Sequence, residues 1–143
     1  MPERTLISNS EEETEAIAAE LGRTLATPQV IALEGDLGAG KTTFVRAFVR
    51  ALMHGEKVRV KSPSFALHHE YATLPVCHHL DLYRLSNAHH IEELGLLEII
   101  DSATGFVLIE WPGVIAAQLP KNTVQIRLEE RPDGARNIHI YSY

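Results

Sequence analysis

The sequence is poor in cysteine and has no long hydrophobic run. Cys77 is the only cysteine, so no disulfide can form within the chain, and a reducing compartment is the simplest expectation. No apolar run approaches the roughly 20 residues that a membrane-spanning helix needs. The first residues, 1–4, lead into an acidic segment and not into the apolar core of a signal peptide. We therefore expect a soluble, cytoplasmic protein without membrane association.

Basic residues are also fewer than acidic ones: the sequence has 13 Lys and Arg and 19 Asp and Glu, which gives a net charge of −6. A protein that grips nucleic acid by itself neutralises phosphates with a basic surface. Any contact with RNA is therefore expected to run through a partner. The 143 residues, 45% of them hydrophobic, can bury one core but leave little length for a second. We expect a single domain over residues 1–143.

Hydrophobic periodicity divides the chain into alternating strands and helices. Ser10 begins a capping-box pattern that predicts a helix over residues 11–26. A buried strand over residues 30–33 runs into a glycine-rich turn, and apolar positions over residues 44–52 mark one face of a second helix. Further strands are predicted at 65–71, 76–80, 106–109, 123–128 and 137–143, with a helical stretch at 87–100 that Gly95 breaks. This order predicts an α/β fold of the P-loop NTPase type, with a mixed sheet flanked by helices and ligands at the carboxyl ends of the parallel strands.

Residues 35–42, Gly-Asp-Leu-Gly-Ala-Gly-Lys-Thr, match the phosphate-binding pattern G-x-x-x-x-G-K-S/T in full. Glycines let backbone N–H groups turn toward an anion, and the following helix adds the positive end of its dipole. In such a loop Lys41 reaches the β- and γ-phosphates and the Thr42 hydroxyl ligates magnesium. The sequence therefore predicts a site for ATP with Mg²⁺, and we assign nucleotide contacts to Leu37, Gly38, Ala39, Gly40, Lys41, Thr42 and Thr43.

Two acidic residues follow predicted buried strands, Asp81 and Glu110. Mg²⁺ prefers oxygen ligands, and P-loop proteins commonly take a second ligand from an aspartate at a strand end. A solvated strand end is the alternative interpretation of either residue. We predict that Thr42 and Asp81 ligate the metal and that Glu110 supports the metal site or positions water. The predicted catalytic residues are thus Lys41, Asp81 and Glu110, and Glu110 is also assigned to the nucleotide site.

Two neighbouring features are weaker candidates for the same site. Ser64 lies in the segment Ser62-Pro63-Ser64, whose hydroxyls could contact the γ-phosphate from a loop held by proline. An ordinary turn fits these residues nearly as well. Trp111 follows Glu110 directly and is a candidate for packing on the nucleotide, on a partner or within the protein itself.

Histidines occur in three adjacent pairs, at 68–69, 78–79 and 89–90. If residues 72–75 close a hairpin, His69 lies opposite His78 across the strands. Neighbouring residues on a strand point to opposite faces, so each face collects only two such ligands, whereas zinc sites usually need three or four. The pairs alone do not establish a metal site.

Five segments extend the pattern beyond the phosphate loop: Gly-Asp-Leu-Gly-Ala-Gly-Lys-Thr-Thr-Phe at 35–44, Lys-Ser-Pro-Ser-Phe at 61–65, His-Leu-Asp-Leu-Tyr-Arg-Leu at 79–85, Glu-Glu-Leu at 92–94 and Ile-Glu-Trp-Pro at 109–112. Together they resemble the bacterial TsaE family, also called YjeE, the small ATPase of tRNA threonylcarbamoyladenosine synthesis. The resemblance runs from the first predicted helix to the last hairpin and is far more specific than the loop alone.

The resemblance implies an ATPase that joins TsaB and TsaD and supports repeated threonylcarbamoyl transfer to tRNA adenosine. It also implies magnesium ligation by Thr42 and Asp81, with a role for Glu110. By the same comparison, Glu11 and Arg136 border the adenine. Ser64 is a departure, because the family commonly has threonine there, and the change keeps the hydroxyl but loses a methyl group.

Other nucleotide-dependent functions fit the sequence less well. A small GTPase would need an N-K-x-D motif and a D-x-x-G switch, and neither occurs. A small-molecule kinase would bring an arginine-rich lid, but no compact lid segment is formed by Arg84, Arg127, Arg131 and Arg136. The alternative that stays open is a binding module in which ATP orders residues 62–65 for partner docking without obligatory hydrolysis.

Overall fold

The computed structural model describes residues 3–36, 38–53, 68–83, 85 and 87–141. Within these residues the strands are β1 (Glu3–Ser8), β2 (Gln29–Glu34), β3 (His68–Tyr71), β4 (Cys77–Asp81), β5 (Phe106–Glu110), β6 (Val124–Glu130) and β7 (Arg136–Tyr141). The helices are α1 (Glu11–Thr24), α2 (Lys41–Ala51), α3 (Ala88–Glu93) and α4 (Leu96–Ser102), and a 3₁₀ segment covers Pro112–Gln118. No helix in the described ranges is long and apolar enough to cross a membrane.

The seven described strands form one mixed sheet in the order β1-β7-β6-β2-β5-β4-β3. The central strand β2 pairs in parallel with β5 and β6, and β4 pairs in parallel with β5. The outer pairings, of β1 with β7, β7 with β6 and β3 with β4, are antiparallel. The predicted α/β fold with a mixed sheet is therefore confirmed. Strands β6, β2, β5 and β4 all end at the same edge of the sheet.

Alternate residues of the central strands face two hydrophobic layers. Ile31 of β2 joins the layer that packs against α1 and α2, whereas Val30 joins the layer of α3, α4 and the 3₁₀ segment. In the first layer Phe48 of α2 packs edge-on against Phe106 of β5, with ring centroids 4.9 Å apart. Burying one such phenyl group stabilises the fold by about 1.5–3 kcal/mol. Helix α2 is thereby fixed against the sheet, and its first turn stays next to the ends of the central strands.

Helix α1 begins as the sequence predicts and ends slightly earlier. Ser10 is the residue before its first turn, and its side chain accepts a hydrogen bond from the Glu13 N–H. The Glu13 carboxylate in turn accepts from the Asn9 N–H. The helix ends at Thr24, short of the predicted end at Ala26, because Leu25 already has extended backbone angles.

The register of the β3–β4 hairpin differs from the prediction. Residues 72–76, five and not four, connect the strands, so His69 lies opposite His79 and not opposite His78. The physical reason is that Val76 bonds to β5 and not to β3. Its carbonyl accepts a hydrogen bond from the Phe106 N–H at 2.9 Å. A Cβ on Gly105 would lie only 2.0 Å from the same carbonyl oxygen, so glycine permits this close approach.

Cys77 is buried at the start of β4, and removal from water raises the pKa of its thiol to about 11. We expect the folded protein to react very slowly with a water-soluble thiol reagent at pH 8, where roughly a thousandth of such a group is thiolate. The same reagent should label Cys77 rapidly in concentrated guanidinium chloride, which serves as the control. Stoichiometric labelling within minutes in native buffer would contradict the burial of this residue.

Candidate functional site

The glycine-rich loop connects β2 to α2 at the carboxyl edge of the sheet. Its glycines Gly35, Gly38 and Gly40 have φ angles of 152°, 82° and 104°, which residues with a Cβ rarely adopt. A Cβ on Gly35 would also lie 2.6 Å from the carbonyl oxygen of Leu128 in β6. The chain can therefore turn sharply here only because glycine occupies these positions. The predicted strand–loop–helix arrangement is confirmed, while Leu37 lies outside the described residues.

Helix α2 begins directly after Gly40, and no side chain caps its first turn. The first N–H groups of a helix have no partner within the helix, and the helix dipole places partial positive charge there. Thr42 and Thr43 follow in the same turn and are half-buried. This end of α2 therefore offers the features of an anion-binding site, in a position that the packing of Phe48 holds fixed.

Lys41 is almost completely buried at this helix start. Its Nζ donates hydrogen bonds to the carbonyl oxygens of Gly35 and of Asp36, the latter at 3.1 Å. The same ammonium lies 3.9 Å from the centroid of the Trp111 ring, which is a cation–π contact. Lys41 is thus held against the loop and not extended into solvent.

Two carboxylates lie close to this lysine, Asp81 and Glu110. They are the last residues of β4 and β5, and they stand side by side in the parallel register. Each is nearly buried, with 6% and 3% of its surface exposed. Burial lowers the pKa of Lys41, while the charges of Glu110, Asp81 and Asp36 act in the opposite direction. The structure therefore brings the three predicted catalytic residues, Lys41, Asp81 and Glu110, into one charged cluster.

His79 is a member of the site that the sequence reasoning missed. Its Nε2 lies 2.6 Å from Oε2 of Glu110, and both side chains are buried. His79 and Asp81 alternate on β4, so both face the same side of the sheet as Glu110. The available signal was the spacing of histidine and aspartate in residues 79–81. That signal does not reveal which residue of a neighbouring strand the histidine meets.

Trp111 has φ 58° and ψ 56°, and it is the only residue other than glycine with positive φ in the described ranges. A left-handed conformation costs such a residue about 1–2 kcal/mol. The turn places its ring between Lys41 and Tyr83, whose ring centroid is 4.9 Å away. Trp111 therefore packs within the protein, and its contact with a nucleotide stays a prediction.

A cleft of about 500 Å³ opens beside Trp111 at the same edge of the sheet. Gly35 and Asp36 of the loop line one side, and Tyr83 and Leu128 contribute to other parts of its wall. The start of the glycine-rich loop is thus reached from a concave surface, as is usual for ligand sites in such sheets.

Glu11 and Arg136 approach the loop segment from other elements. The Thr43 hydroxyl donates to Oε1 of Glu11 at 3.4 Å. Arg136 donates through Nη2 to the Gly38 carbonyl at 3.2 Å, and its Nε is buried with no hydrogen-bond partner in the described part of the chain. Arg136 therefore borders the loop and Glu11 borders the first turn of α2, whereas their contact with adenine stays a prediction. Ser64, the other residue assigned to the nucleotide, lies outside the described residues.

In the described ranges, no group of three or more His, Cys, Asp or Glu side chains is arranged to hold a metal ion, and this includes the paired histidines. His68 and His78 meet on one face of the hairpin, with Nε2 and Nδ1 2.9 Å apart. His69 and His79 are paired in register and face the other side. Each face thus collects two of these histidines, as predicted, but His78 is on the face of His68 and not on that of His69.

The fold and the site define a mixed α/β protein that carries a G-x-x-x-x-G-K-S/T loop next to two strand-end carboxylates. A family model described as "Threonylcarbamoyl adenosine biosynthesis protein TsaE" matches residues 8–138. The chain belongs to the TsaE family, whose role lies in tRNA threonylcarbamoyladenosine biosynthesis. The family resemblance expected from the motifs is confirmed.

Individual relatives agree with this assignment over most of the chain. The TsaE protein of Bacillus subtilis is 42% identical over 130 residues, which are 89% of this chain and 78% of that protein. The TsaE protein of Rickettsia bellii is 38% identical over 135 residues, 94% of this chain and 92% of that protein. The crystal structure of Bacillus subtilis YdiB is similar with a TM-score of 0.81 at 31% identity, covering 99% of this chain and 86% of that one.

Proposed function

We propose that the chain binds ATP with Mg²⁺ and hydrolyses it in support of threonylcarbamoyl transfer to tRNA. The observation that carries the proposal is the buried Lys41 at the uncapped start of α2, clustered with Asp81 and Glu110. A positive helix end with a lysine suits a polyphosphate. Two carboxylates beside that lysine suit a metal-dependent phosphoryl transfer.

The donor set fits magnesium. Thr42 and Asp81 would hold the ion, since both offer oxygen ligands, which Mg²⁺ prefers over nitrogen or sulfur. The ion, when bound, neutralises charge on the phosphates. Arg136 supports the assignment of an anionic ligand, because its buried Nε has no acceptor in the described part of the chain and its Nη2 contacts the loop at Gly38.

The chain's own residues divide the proposed reaction between them. The glycine-rich loop and Lys41 bind the phosphates, and the lysine stabilises the charge that develops on the departing diphosphate. Glu110 orients a water molecule and accepts its proton as that water attacks the γ-phosphorus. The hydrolysis then releases ADP and phosphate.

The proposed partners are TsaB and TsaD, and the family membership supports them. The net charge of −6 supports a role in which tRNA is reached through these proteins and not by this chain alone. Residues 62–65, on which the alternative of a pure binding switch depends, lie outside the described residues.

Size-exclusion chromatography with TsaB and TsaD should show co-elution of this chain that depends on the nucleotide present. In a reconstituted reaction with tRNA and a threonylcarbamoyl donor, the chain should be required for more than one round of modification per TsaD. The control is the same reaction with the chain omitted. Absence of co-elution with ATP, with ADP and without nucleotide would contradict the partner assignment.

A further inference from the structure

His79 makes a buried hydrogen bond to the carboxylate that the proposed reaction uses. Its side chain is 0% exposed and that of Glu110 is 4% exposed. The Nε2–Oε2 distance of 2.6 Å is at the short end for a hydrogen bond between nitrogen and oxygen. Because the pair is buried, this contact orients the carboxylate more strongly than a solvent-exposed bond would.

The direction of the bond follows from the chemistry of the two groups. An ionised carboxylate only accepts, so Nε2 of His79 carries the hydrogen. Nδ1 is buried and has no hydrogen-bond partner in the described part of the chain. A hydrogen on Nε2 alone leaves no N–H group of the ring unpaired, so the geometry favours this tautomer.

The strand register explains why the bond sets the position of Glu110. His79 pairs with Leu108 of β5, and Asp81 pairs with Glu110 two residues further along. The ring of His79 therefore approaches Glu110 diagonally from the neighbouring strand, on the same face of the sheet. It occupies Oε2 of the carboxylate, and Oε1 is left for other partners.

We propose that His79 is a positioning residue, which holds the Glu110 carboxylate in the orientation that water activation needs. The inference rests on the proposed ATPase function. It predicts an effect on kcat with little effect on ATP affinity, because the phosphate contacts are assigned to the loop and Lys41.

A series of substitutions at one position separates positioning from packing. In His79→Gln the amide nitrogen takes the place of Nε2 and can still donate to Glu110, whereas in His79→Asn it takes the place of Nδ1 and cannot. His79→Leu has no donor. With TsaB and TsaD present, we expect kcat for ATP hydrolysis to fall about ten- to a hundredfold in His79→Asn and His79→Leu. Activity should be largely retained in His79→Gln, with an unchanged Kd for ATP in all three.

His78→Leu is the matched control, because His78 is the adjacent residue of β4 and points to the opposite face. Like His79→Leu, this variant loses a hydrogen bond made by a histidine, here the one between His78 and His68. Its kcat should equal that of the wild type. Equal losses in His79→Gln and His79→Leu, or full activity in His79→Leu, would overturn the inference. The double variant His79→Leu/Glu110→Gln should have the same kcat as Glu110→Gln alone, because His79 acts through Glu110. A kcat lowered by the product of the two single effects would also overturn the inference.

NMR of ¹⁵N-labelled histidine tests the bond without reference to activity. The Nε2 of His79 should carry its hydrogen in the wild type, and its resonance should shift in Glu110→Ala. A ring protonated on Nδ1 alone, or a resonance unaffected by Glu110→Ala, would overturn the inference even if ATP is hydrolysed. If the wild type hydrolyses no ATP, the proposed function is wrong, but the NMR measurement still tests whether His79 donates a hydrogen bond to Glu110. If His79→Leu does not fold, the inference is tested by comparing His79→Gln with His79→Asn and by the NMR result.

Discussion

Lys41→Ala is expected to abolish ATP binding at micromolar nucleotide. The substitution removes a buried ammonium from the start of α2, where it donates to loop carbonyls. Hydrogen bonds to charged groups contribute about 1.5–3 kcal/mol each, so loss of contacts to two phosphates should weaken affinity by roughly a hundredfold or more. No side chain of the same turn replaces this charge, because Thr42 and Thr43 are neutral.

The tryptophan of the site offers a direct measurement of this effect. Trp111 is the only tryptophan in the chain, and its ring contacts the Lys41 ammonium. Lys41→Ala should therefore change the tryptophan emission even without nucleotide, and an ATP titration that alters emission in the wild type should leave the variant unchanged. Isothermal titration calorimetry provides the independent value of Kd.

Lys121→Ala is the matched control for the loss of a lysine. Lys121 is exposed and precedes Asn122, whose carbonyl accepts a hydrogen bond from Gln29 at the start of β2. It thus lies at the amino end of the central strand, away from the loop at the carboxyl end. This variant should bind ATP like the wild type. Unchanged ATP affinity and hydrolysis in Lys41→Ala would contradict the assignment of the loop to the ATP site.

Local patterns explain which parts of the site the sequence predicts. The loop of residues 35–42 is contiguous, and its conformation depends on glycines and on the strand and helix that flank it. Asp81 and Glu110 are each predicted from the strand that they terminate. For such features the neighbouring residues carry most of the information, and the structure places both carboxylates at the ends of their strands.

Long-range pairing explains what the sequence does not reveal. Strand β1 has little apolar alternation of its own, and it forms by pairing with β7, where Glu3 lies opposite Tyr141. The contact of His79 with Glu110 similarly depends on the alignment of two separate strands. The 3₁₀ segment after Trp111 was also not predicted. Its start depends on a left-handed backbone turn that tryptophan seldom adopts.

The hairpin of β3 and β4 illustrates the limit for a single element. The turn-forming residues before β4 predict a hairpin, but they do not say whether Val76 pairs with β3 or with β5. The hydrogen bond from Phe106 to Val76 decides this, and it shifts the pairing of every residue that follows. As a result His79 lies opposite His69 and on the face of Glu110.

Glu110→Gln is expected to retain ATP binding and to lower kcat for ATP hydrolysis by about a hundredfold or more, which is the usual contribution of a general base. The amide has the same shape as the carboxylate, and its oxygen can still accept the hydrogen bond from His79. The side chain should therefore stay in place while it loses the charge and basicity needed to take a proton from water. Turnover is measured with TsaB and TsaD present, and Kd from the Trp111 emission.

Glu98→Gln is the control for this charge change, because Glu98 is exposed on α4 and belongs to the other helical layer. It should turn over ATP at the wild-type rate. Loss of binding in Glu110→Gln would mean that the carboxylate holds the metal or nucleotide and not the water. The variant also distinguishes a function that requires ATP hydrolysis from one that requires only ATP binding. It should bind TsaB and TsaD with ATP yet fail to support repeated tRNA modification. If it supports repeated modification at full rate, ATP acts as a ligand that controls the partner interface, and its hydrolysis is not needed for each round.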